Sequence, residues 1–280
     1  MNDARPNVVM TMCRDEVDVI GTFVHFYLAQ GFDIVTVIDN GSIDGTPEVV
    51  AGLIATGLPV RLVLDSRIGY ERHLTEHFHA VGQATSADWL FFLDADEFIL
   101  FPDPVRDYLA KLPRQVDCLR IGQKEMYPAL SRHSDPAGFL LTVKAEPQLN
   151  DTTKDVARYR HGARVFAGKH RIDCENIQHY EPEDVVIRHY KYRSLSQARR
   201  KESNRVQAHA SYSDSDLAKI SAFGVAHSRA WIDFCRQQCQ EEAWRDRFTG
   251  GVRWVNDPVL SQWAQSHLLG RTSTMGEYGG

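Results

Sequence analysis

Three acidic residues follow a strongly apolar run in the stretch WLFFLDADEFIL, which spans Trp89 to Leu100. The acids are Asp94, Asp96 and Glu97. A buried strand that ends in carboxylates needs partners for their charge, because unpaired buried charge is costly. Two carboxylates that converge at a strand exit suit Mg2+ or Mn2+, which bind oxygen ligands and keep positions open for phosphate. The alternative is a solvated acidic turn, and the preceding apolar run favours the metal site over it.

Two further polar clusters each follow a strand-like run. CRDE (Cys13–Glu16) ends the run NVVMTMC, and DNGSIDG (Asp39–Gly45) ends the run DIVTVIDN. The carboxylate of Asp39 is placed to accept hydrogen bonds from a ribose hydroxyl or a base imide, although a turn that only caps the next helix would carry the same residues. In CRDE, Arg14 is a candidate partner for a phosphate or carboxylate, and at least one of the two acids is expected to cap the following helix.

Basic residues concentrate between Arg158 and Arg205, where twelve Lys or Arg stand against six acids. This bias fits an anionic ligand, although a solvated charged face is the commoner cause. Within this segment, VVIRHYKYRS carries His189, a candidate metal ligand. The same stretch offers three cations for a diphosphate, or for an exposed edge strand: Arg188, Lys191 and Arg193.

One more cation stands at the start of an earlier predicted helix. Arg72 is a candidate contact for a phosphate or a base. His73 and His77 follow it one helical turn apart, a spacing that zinc sites use, but no HExxH order is present and zinc is the weaker interpretation.

Strand-like and helix-like patterns alternate over the first 110 residues. The apolar runs NVVMTMC, DIVTVIDN, PVRLVLD and WLFFL alternate with segments whose apolar residues recur at helical spacing. This order predicts an α/β fold with a mostly parallel central sheet that helices cover on both faces. Such sheets bind ligands at the carboxyl ends of their strands, so the three acidic clusters are expected to meet at one edge.

The composition is that of an ordinary globular protein. The 280 residues are 43% hydrophobic and 25% charged, with 32 basic against 37 acidic side chains, so no nucleic-acid partner is expected. No apolar run reaches membrane-spanning length and no signal-peptide pattern opens the sequence, so a cytoplasmic location is expected. The five cysteines are odd in number and form no CxxC pair, which fits reduced thiols.

Together, these motifs are similar to those of one family. The stretches CRDEVDVIGTFVHFYLAQGFDIVTVIDNGSIDGT, WLFFLDADEFI and HYKYRS resemble the family 2-type glycosyltransferases with a GT-A (Rossmann-like nucleotide-diphospho-sugar transferase) fold. The likeness is to the bacterial subgroup with a late HYxxRS motif and covers roughly residues 7 to 200. Two stretches depart from the pattern: RDE stands where relatives often have KNE, and Glu125 replaces the Asp of a DMYP stretch.

The resemblance implies a UDP- or dTDP-linked sugar donor, a divalent cation (Mn2+ or Mg2+) and inversion at the anomeric carbon. By motif match, Asp39 would contact the nucleoside, and the metal ligands would be Asp94, Asp96 and His189, with Asp96 the more direct one. Arg193 and Ser194 would close on the phosphates. The acceptor hydroxyl needs a general base, for which Glu125 and Asp155 are the candidates. The full set of expected donor contacts is Arg14, Glu16, Asp39, Asn40, Ser42, Asp44, Arg72, Lys169, Arg193 and Ser194.

The expected organisation is a GT-A catalytic domain at 1–193, with a nucleotide-sugar half at about 1–100 and an acceptor half at about 101–193. A helical extension at 194–270 and a disordered tail at 271–280 are expected to follow. The acceptor is expected to be a glycan or lipid-linked glycan of a bacterial surface polysaccharide. The aromatic residues of the extension leave three roles open: an oligomer interface, a peripheral contact with the inner membrane face, or an acceptor platform.

Two other functions fit parts of the pattern. A sugar-nucleotide nucleotidyltransferase also uses a parallel sheet and carboxylate-bound Mg2+, but it needs a Gly-rich basic loop near the N-terminus, which CRDEVDVIG is not. A non-catalytic glycan-binding module on the same fold would keep the sheet without the chemistry.

Overall fold

The computed structural model describes residues 4–67, 69–126, 144–145, 147–222, 224–241 and 255–267. The strands are β1 (Val8–Cys13), β2 (Ile34–Asp39), β3 (Val60–Leu64), β4 (Trp89–Leu93), β5 (Glu97–Ile99), β6 (Cys118–Glu125), β7 (Lys144–Ala145), β8 (Thr153–Arg158), β9 (Arg164–Val165), β10 (Ile172–Asp173), β11 (His179–Tyr180), β12 (Ile187–His189) and β13 (Val255–Asn256). The helices are α1 (Ile20–Ala29), α2 (Thr46–Ala55), α3 (Leu74–Thr85), α4 (Val105–Ala110), α5 (Leu195–Ala210), α6 (Asp214–Ile220), α7 (Val225–Glu241) and α8 (Val259–His267). Short 3-10 turns lie at Tyr70–His73 and Ala167–Lys169.

The central sheet is mixed but mostly parallel. Its strands follow the order β3-β2-β1-β4-β8-β6-β12-β5, and β11 pairs with β6. β3, β2, β1 and β4 run parallel to one another, whereas β8 is antiparallel to both β4 and β6. β12 then pairs parallel with β6 and antiparallel with β5. The predicted α/β class with a mostly parallel central sheet is confirmed.

Helices cover both faces of this sheet, which explains the continuous apolar runs of its strands. All six residues of β1 and all five of β4 are buried. Alternate side chains serve the two faces: Val9 and Phe91 pack with α1, whereas Met10 and Phe92 pack with α3. A strand buried on both faces is rigidly held, so the residues at its end start from a fixed position.

The parallel register brings the three acidic clusters to one edge. Cys13 at the end of β1 lies opposite Asp39 at the end of β2, and Thr11 of β1 lies opposite Leu93 at the end of β4. The backbone N–H of Asn40 donates to the carbonyl of Cys13 at 2.8 Å, which continues the pairing beyond the strands. The expectation that CRDE, DNGSIDG and DADE meet at the carboxyl edge is confirmed.

Strands from later in the chain complete this edge, and one of them, β8, was not predicted from the sequence. β8 lies between β4 and β6, next to the DADE turn. His189 on β12 is in register with Glu97 on β5 and with Glu125 on β6. The site is therefore closed by strands that come from residues far along the chain.

The sequence patterns of RVFAGKHRI and EDVVIRHYKYR each predict a strand, and both strands are shorter in the structure. The stretch RVFAGKHRI breaks into β9, a 3-10 turn and β10, because Gly168 (φ 71°) and Lys169 (φ 59°) adopt left-handed backbone conformations. In EDVVIRHYKYR only Ile187–His189 is a strand.

The part of the chain after Ser194 is mostly helical where it is described, through α5 to α8, and it also contains the short strand β13, which pairs with β7. The predicted disordered tail at 271–280 lies outside the described residues, as do Trp244 and Trp254. None of the helices within the described ranges is long and apolar enough to cross a bilayer. Cys13, Cys118 and Cys174 are free thiols.

Packing of α3 against the β8 end of the sheet gives a test of the fold. A methyl group at Gly82 of α3 would lie 2.3 Å from the ring of Tyr159, so Gly82→Ala is expected to destabilise the protein by about 1–3 kcal/mol through overpacking. Gly52 of α2 has nothing within 4 Å of the same position, so Gly52→Ala is expected to stabilise by about 0.5–1 kcal/mol. Urea unfolding of both variants measures the difference. Equal effects of the two substitutions would contradict this packing.

Candidate active site

A cavity of about 650 Å³ opens at the carboxyl edge of the sheet. The acidic clusters, the 3-10 turn at 167–169 and one side of α5 line it. Of the predicted site residues it includes Arg14, Glu16, Asn40, Asp94, Asp96, Glu125, Lys169 and His189. The sequence motifs thus converge on one volume, although they are up to about 175 residues apart in the chain.

Asp94 is held by two lysines. Lys154 of β8 donates to one carboxylate oxygen at 2.9 Å, and Lys169 binds the other. Lys154 is completely buried and also pairs with Glu97, whose carboxylate accepts the backbone N–H of Asp94 at 2.8 Å. Burial disfavours the charged form of Asp94, but the two ammonium groups more than offset it and hold its pKa well below the usual range. The DADE turn is therefore fixed by cations from two later segments.

Asp96 differs from Asp94 because one of its oxygens makes no hydrogen bond with the described residues and has only a longer ion-pair contact, with His189. Its side chain is 1% exposed, and its Oδ2 binds the ammonium of Lys201 on α5. Its Oδ1 is buried without a hydrogen-bond partner among the described residues, and it lies 3.5 Å from His189 Nε2. Burial opposes ionisation, yet Lys201 and His189 lower the pKa of Asp96. A buried, ionised oxygen with an unused lone pair is a ready cation ligand.

His189 bridges Asp96 and Glu125. Its Nδ1 lies 2.9 Å from Glu125 Oε1 and 2.7 Å from Gln123 Nε2. Burial would lower the histidine pKa, but the Glu125 and Asp96 carboxylates raise it to about 10. Burial also opposes the charge of Glu125, and His189 outweighs it and lowers the pKa of that carboxyl. The two carboxylates therefore favour the charged form of the histidine.

Glu16 joins the end of β1 to the start of α5. Its carboxylate binds Arg193, and Lys201 Nζ lies 3.1 Å from its Oε1. Arg193 also donates to Asp18 at 2.8 and 3.0 Å and to the carbonyl of Tyr190 at 3.1 Å. The guanidinium is thus a buried anchor for the first motif.

In the second motif, DNGSIDG, Asn40 faces the cavity, whereas other side chains hold the turn. Asp39 Oδ1 accepts the backbone N–H groups of Gly41 and Ser42 at 3.0 Å, whereas its Oδ2 is buried without a described hydrogen-bond partner. The amide of Asn40 donates to the carbonyl of Asp65 at 2.6 Å and lines the cavity. Asp44 accepts from the backbone and hydroxyl of Thr46 at the start of α2. Ser42 accepts the N–H of Asp15 at 2.8 Å, so Ser42 and Asp44 hold the turn itself.

Seven of the fifteen predicted site residues do not line the cavity: Asp39, Ser42, Asp44, Arg72, Asp155, Arg193 and Ser194. Arg72, Asp155 and Ser194 make their contacts elsewhere. Asp155 is fully buried on the opposite face of β8 from Lys154, where Arg120 binds it at 2.9 and 3.1 Å. Arg72 donates to the carbonyl of Ser211 at 2.6 Å and stacks over the Tyr212 ring. Ser194 caps α5 by accepting the N–H of Gln197. The geometry therefore gives Asp155 a structural ion pair and gives Arg72 and Ser194 contacts within the helical region.

The sequence reasoning missed several functional side chains. Lys154 and Lys201 carry the compensating charge for the DADE carboxylates, and Asn204 and Arg205 of α5 line the cavity one turn beyond Lys201. The signal for α5 is the helical spacing of these polar residues within the basic segment.

Glu71 is another unexpected carboxyl in the cavity. Its side chain lies 3.7 Å from His209 Nε2 and is 11% exposed. Burial, only partly offset by Lys169 and the backbone N–H of Gly168, raises its pKa to about 7.

The donor atoms fit a divalent cation at Asp96 and His189. Two ligands of one ion, each about 2.1 Å from it, can be separated by 3.5 Å, and Asp96 Oδ1 has no competing partner among the described residues. Asp94 does not join them, since both of its oxygens bind lysine. The only described group of three metal-binding side chains within 4.8 Å is elsewhere, at Cys118, Asp155 and His179, where Arg120 already neutralises the carboxylate.

Comparisons with known proteins give distant structural neighbours. No protein-family model matches the chain, and a comparison with curated proteins also finds no match. Among solved structures, the mannosyltransferase PcManGT from Pyrobaculum calidifontis, in complex with GDP-Man and Mn2+, aligns with a TM-score of 0.44 and 18% identity over 98% of this chain and 84% of that one.

Two other neighbours are also glycosyltransferases. S. aureus TarS 1-349 in complex with UDP has a TM-score of 0.41 and 12% identity over 86% of this chain and 72% of that one. GalNAc-T7 with UDP, GalNAc and Mn2+ has a TM-score of 0.35 and 15% identity over 45% of this chain and 24% of that one. At these scores the neighbours assign neither a donor nor a residue role to this chain.

The buried carboxyl of Glu71 gives a pH-dependent prediction. Its folded pKa of about 7 lies above the usual 4.5, so the folded state binds the proton more tightly and stability falls as the pH rises between these values. Glu71→Gln removes this loss and is expected to stabilise the protein at pH 8 by on the order of 2–3 kcal/mol, with little gain at pH 4. Chemical unfolding across this pH range measures it. Glu48→Gln, on the exposed first turn of α2, is the control. A gain in stability of Glu71→Gln that is equally large at pH 4 and pH 8 would contradict the raised pKa of Glu71.

Proposed function

We propose that this chain is a glycosyltransferase that moves a sugar from a nucleotide-diphosphate donor to a hydroxyl acceptor. The observation that carries the proposal is Asp96: a buried, ionised carboxylate with an oxygen lacking a described hydrogen-bond partner, facing His189 on the wall of a large cavity. Keeping an ionised carboxylate buried costs free energy. A divalent cation that also binds a diphosphate would offset that cost. The motif resemblance to GT-A glycosyltransferases is independent support.

The diphosphate end of the donor is assigned to the space beside the DADE turn. Lys169, Lys201 and Arg205 reach the cavity from two different segments, and Arg14 lines it from the end of β1. Cations that surround a leaving diphosphate stabilise the negative charge that develops as the bond to the sugar breaks. A divalent ion held by Asp96 and His189 would add Lewis-acid stabilisation of the same charge.

The nucleoside end is assigned to the edge of β2. Asp39 Oδ2 has no described hydrogen-bond partner, and Asn40 beside it lines the cavity. A carboxylate at this strand end can accept hydrogen bonds from ribose hydroxyls or a base imide. UDP and dTDP are the proposed nucleotides, and both present such donors.

Glu125 is the proposed general base. It lines the cavity close to the proposed cation position. His189 lies between the two, with Nδ1 towards Glu125 and Nε2 towards Asp96. Its lowered pKa keeps it ionised at neutral pH, so it can accept the proton of the acceptor hydroxyl while that oxygen attacks the anomeric carbon and the diphosphate departs. Attack from the face opposite the leaving group inverts the anomeric centre.

The acceptor is proposed to be a glycan or lipid-linked glycan of a surface polysaccharide. The far end of the cavity, between α5, α6 and α7, offers room for part of it and is lined by Tyr212, Leu217 and Ile232. Its mixture of apolar and polar groups is compatible with a sugar ring or an apolar aglycone.

Substitution of the central carboxylate tests the mechanism. Asp96→Asn keeps the side-chain shape and removes the charge, so transfer is expected to fall by at least about 100-fold while the fold persists. Product formation with nucleotide sugars, and circular dichroism for the fold, measure the two effects. Asp103→Asn removes a carboxylate from the exposed pair with Lys111 and is the matched control. Full activity of Asp96→Asn in chelator-treated buffer would contradict the mechanism.

Nucleotide binding provides a second test, which needs no acceptor. A nucleotide that binds the folded state alone stabilises it by about 2.7 kcal/mol at 100 times its dissociation constant. UDP or dTDP with Mn2+ is expected to raise the thermal midpoint of the protein, and Asp39→Asn to reduce the rise. If no nucleotide in a panel of UDP, dTDP, GDP and CDP stabilises the protein with Mn2+, the proposed donor class is wrong.

A further inference from the structure

Lys201 occupies a cation position at the centre of the site. It extends from α5, and its ammonium binds Asp96 Oδ2 at the end of β4 and Glu16 Oε1 at the end of β1. A positive charge shared by carboxylates from two strand ends is the arrangement that a metal ion would otherwise make. The lysine is thus a tethered cation within the candidate metal site.

Arg193 and Lys201 both bind Glu16, but they are held very differently. Arg193 is 3% exposed and is anchored by Asp18 and the carbonyl of Tyr190 as well as by Glu16, and its Nη1 also lies 3.6 Å from Asp96 Oδ2. Lys201 is 18% exposed, lines the cavity, and has Glu16 and Asp96 as its partners among the described residues. A lysine ammonium on a flexible four-carbon stem can leave such partners without disturbing the helix that carries it.

We propose that Lys201 is the resident counter-ion of the Glu16–Asp96 pair and that it competes with a divalent cation for Asp96. The cation enters at Asp96 Oδ1 beside His189, while the ammonium sits on Oδ2 of the same carboxylate. The divalent cation and the Lys201 ammonium would then lie at the two oxygens of one carboxylate. Like charges this close repel strongly where little solvent screens them. Binding of the divalent cation therefore drives the ammonium away from Asp96 and into the cavity.

This competition deepens the proposed function and rests on it for its biological meaning. The displaced ammonium stays in the cavity that is assigned to the donor diphosphate, next to Asn204 and Arg205. A diphosphate that binds the Lys201 ammonium would keep that ammonium away from Asp96. Lys201 would then no longer compete with the divalent cation. Cation and nucleotide then bind with positive coupling, and the cation binds weakly when no nucleotide is present.

Manganese titration of the full chain without nucleotide tests the competition. Electron paramagnetic resonance of free Mn2+ gives the dissociation constants of the wild type, Lys201→Met, Lys201→Arg and Lys111→Met. Lys201→Met is expected to bind Mn2+ at least about 10-fold more tightly, because one nearby like charge is gone. Lys201→Arg keeps the charge, and Lys111→Met removes a lysine that pairs with Asp103 at the surface, so both are expected to match the wild type.

The opposite outcomes overturn the proposal. Unchanged or weaker Mn2+ affinity in Lys201→Met, or no detectable Mn2+ binding to either protein, would show that Lys201 does not compete. Addition of UDP is expected to tighten Mn2+ binding more in the wild type than in Lys201→Met. If the chain turns over no nucleotide sugar while Lys201→Met still binds Mn2+ more tightly, the proposed function fails and the competition stands.

Discussion

The whole site depends on compensation of buried carboxylates by cations that arrive from distant parts of the chain. β4 delivers the DADE acids to the sheet edge, where burial alone would force them to take up protons. Lys154, Lys169 and Lys201 come from three later segments and lower the pKa of Asp94 and Asp96. The candidate site is therefore complete only when β8, the 167–169 turn and α5 are docked on the first four strands.

The cations compensate the two aspartates of the DADE turn unequally, so the two carboxylates differ in what they can still bind. Asp94 is bound on both oxygens and fixes the turn, whereas Asp96 keeps one oxygen without a described hydrogen-bond partner beside His189. Two acids two positions apart thus have separate roles, one structural and one directed at a ligand. The DxD pattern gives the positions of both carboxylates, but only the surrounding cations decide which of them keeps an oxygen available for the proposed metal ion.

Much of the framework could be predicted from the sequence. Apolar runs buried on both faces identify β1, β2 and β4, and parallel pairing then requires that their acidic ends meet. The resemblance placed Asp96, His189 and Glu125 in one site, and in the structure His189 contacts both carboxylates. The predictions about the sheet succeed because they depend on local patterns and on a rule of sheet topology.

The remaining errors come from registers and from long-range charge pairing. On β8, Asp155 was one of two candidates for the base, but the alternation of side chains along the strand places it on the far face and directs its neighbour Lys154 to the acids. A strand such as TKDVAR has no apolar pattern that fixes which face is which. Lys201 lies in a polar helix whose docking face depends on contacts with Glu16 and Asp96, so its role follows only from the folded chain.

Anomalous diffraction from crystals grown with Mn2+ and UDP would test the central claim most directly. The account predicts a manganese peak that contacts both Asp96 and His189, with the diphosphate in the same cavity beside Lys201. A manganese peak at Cys118, Asp155 and His179 instead, or nucleotide bound outside the cavity, would contradict it.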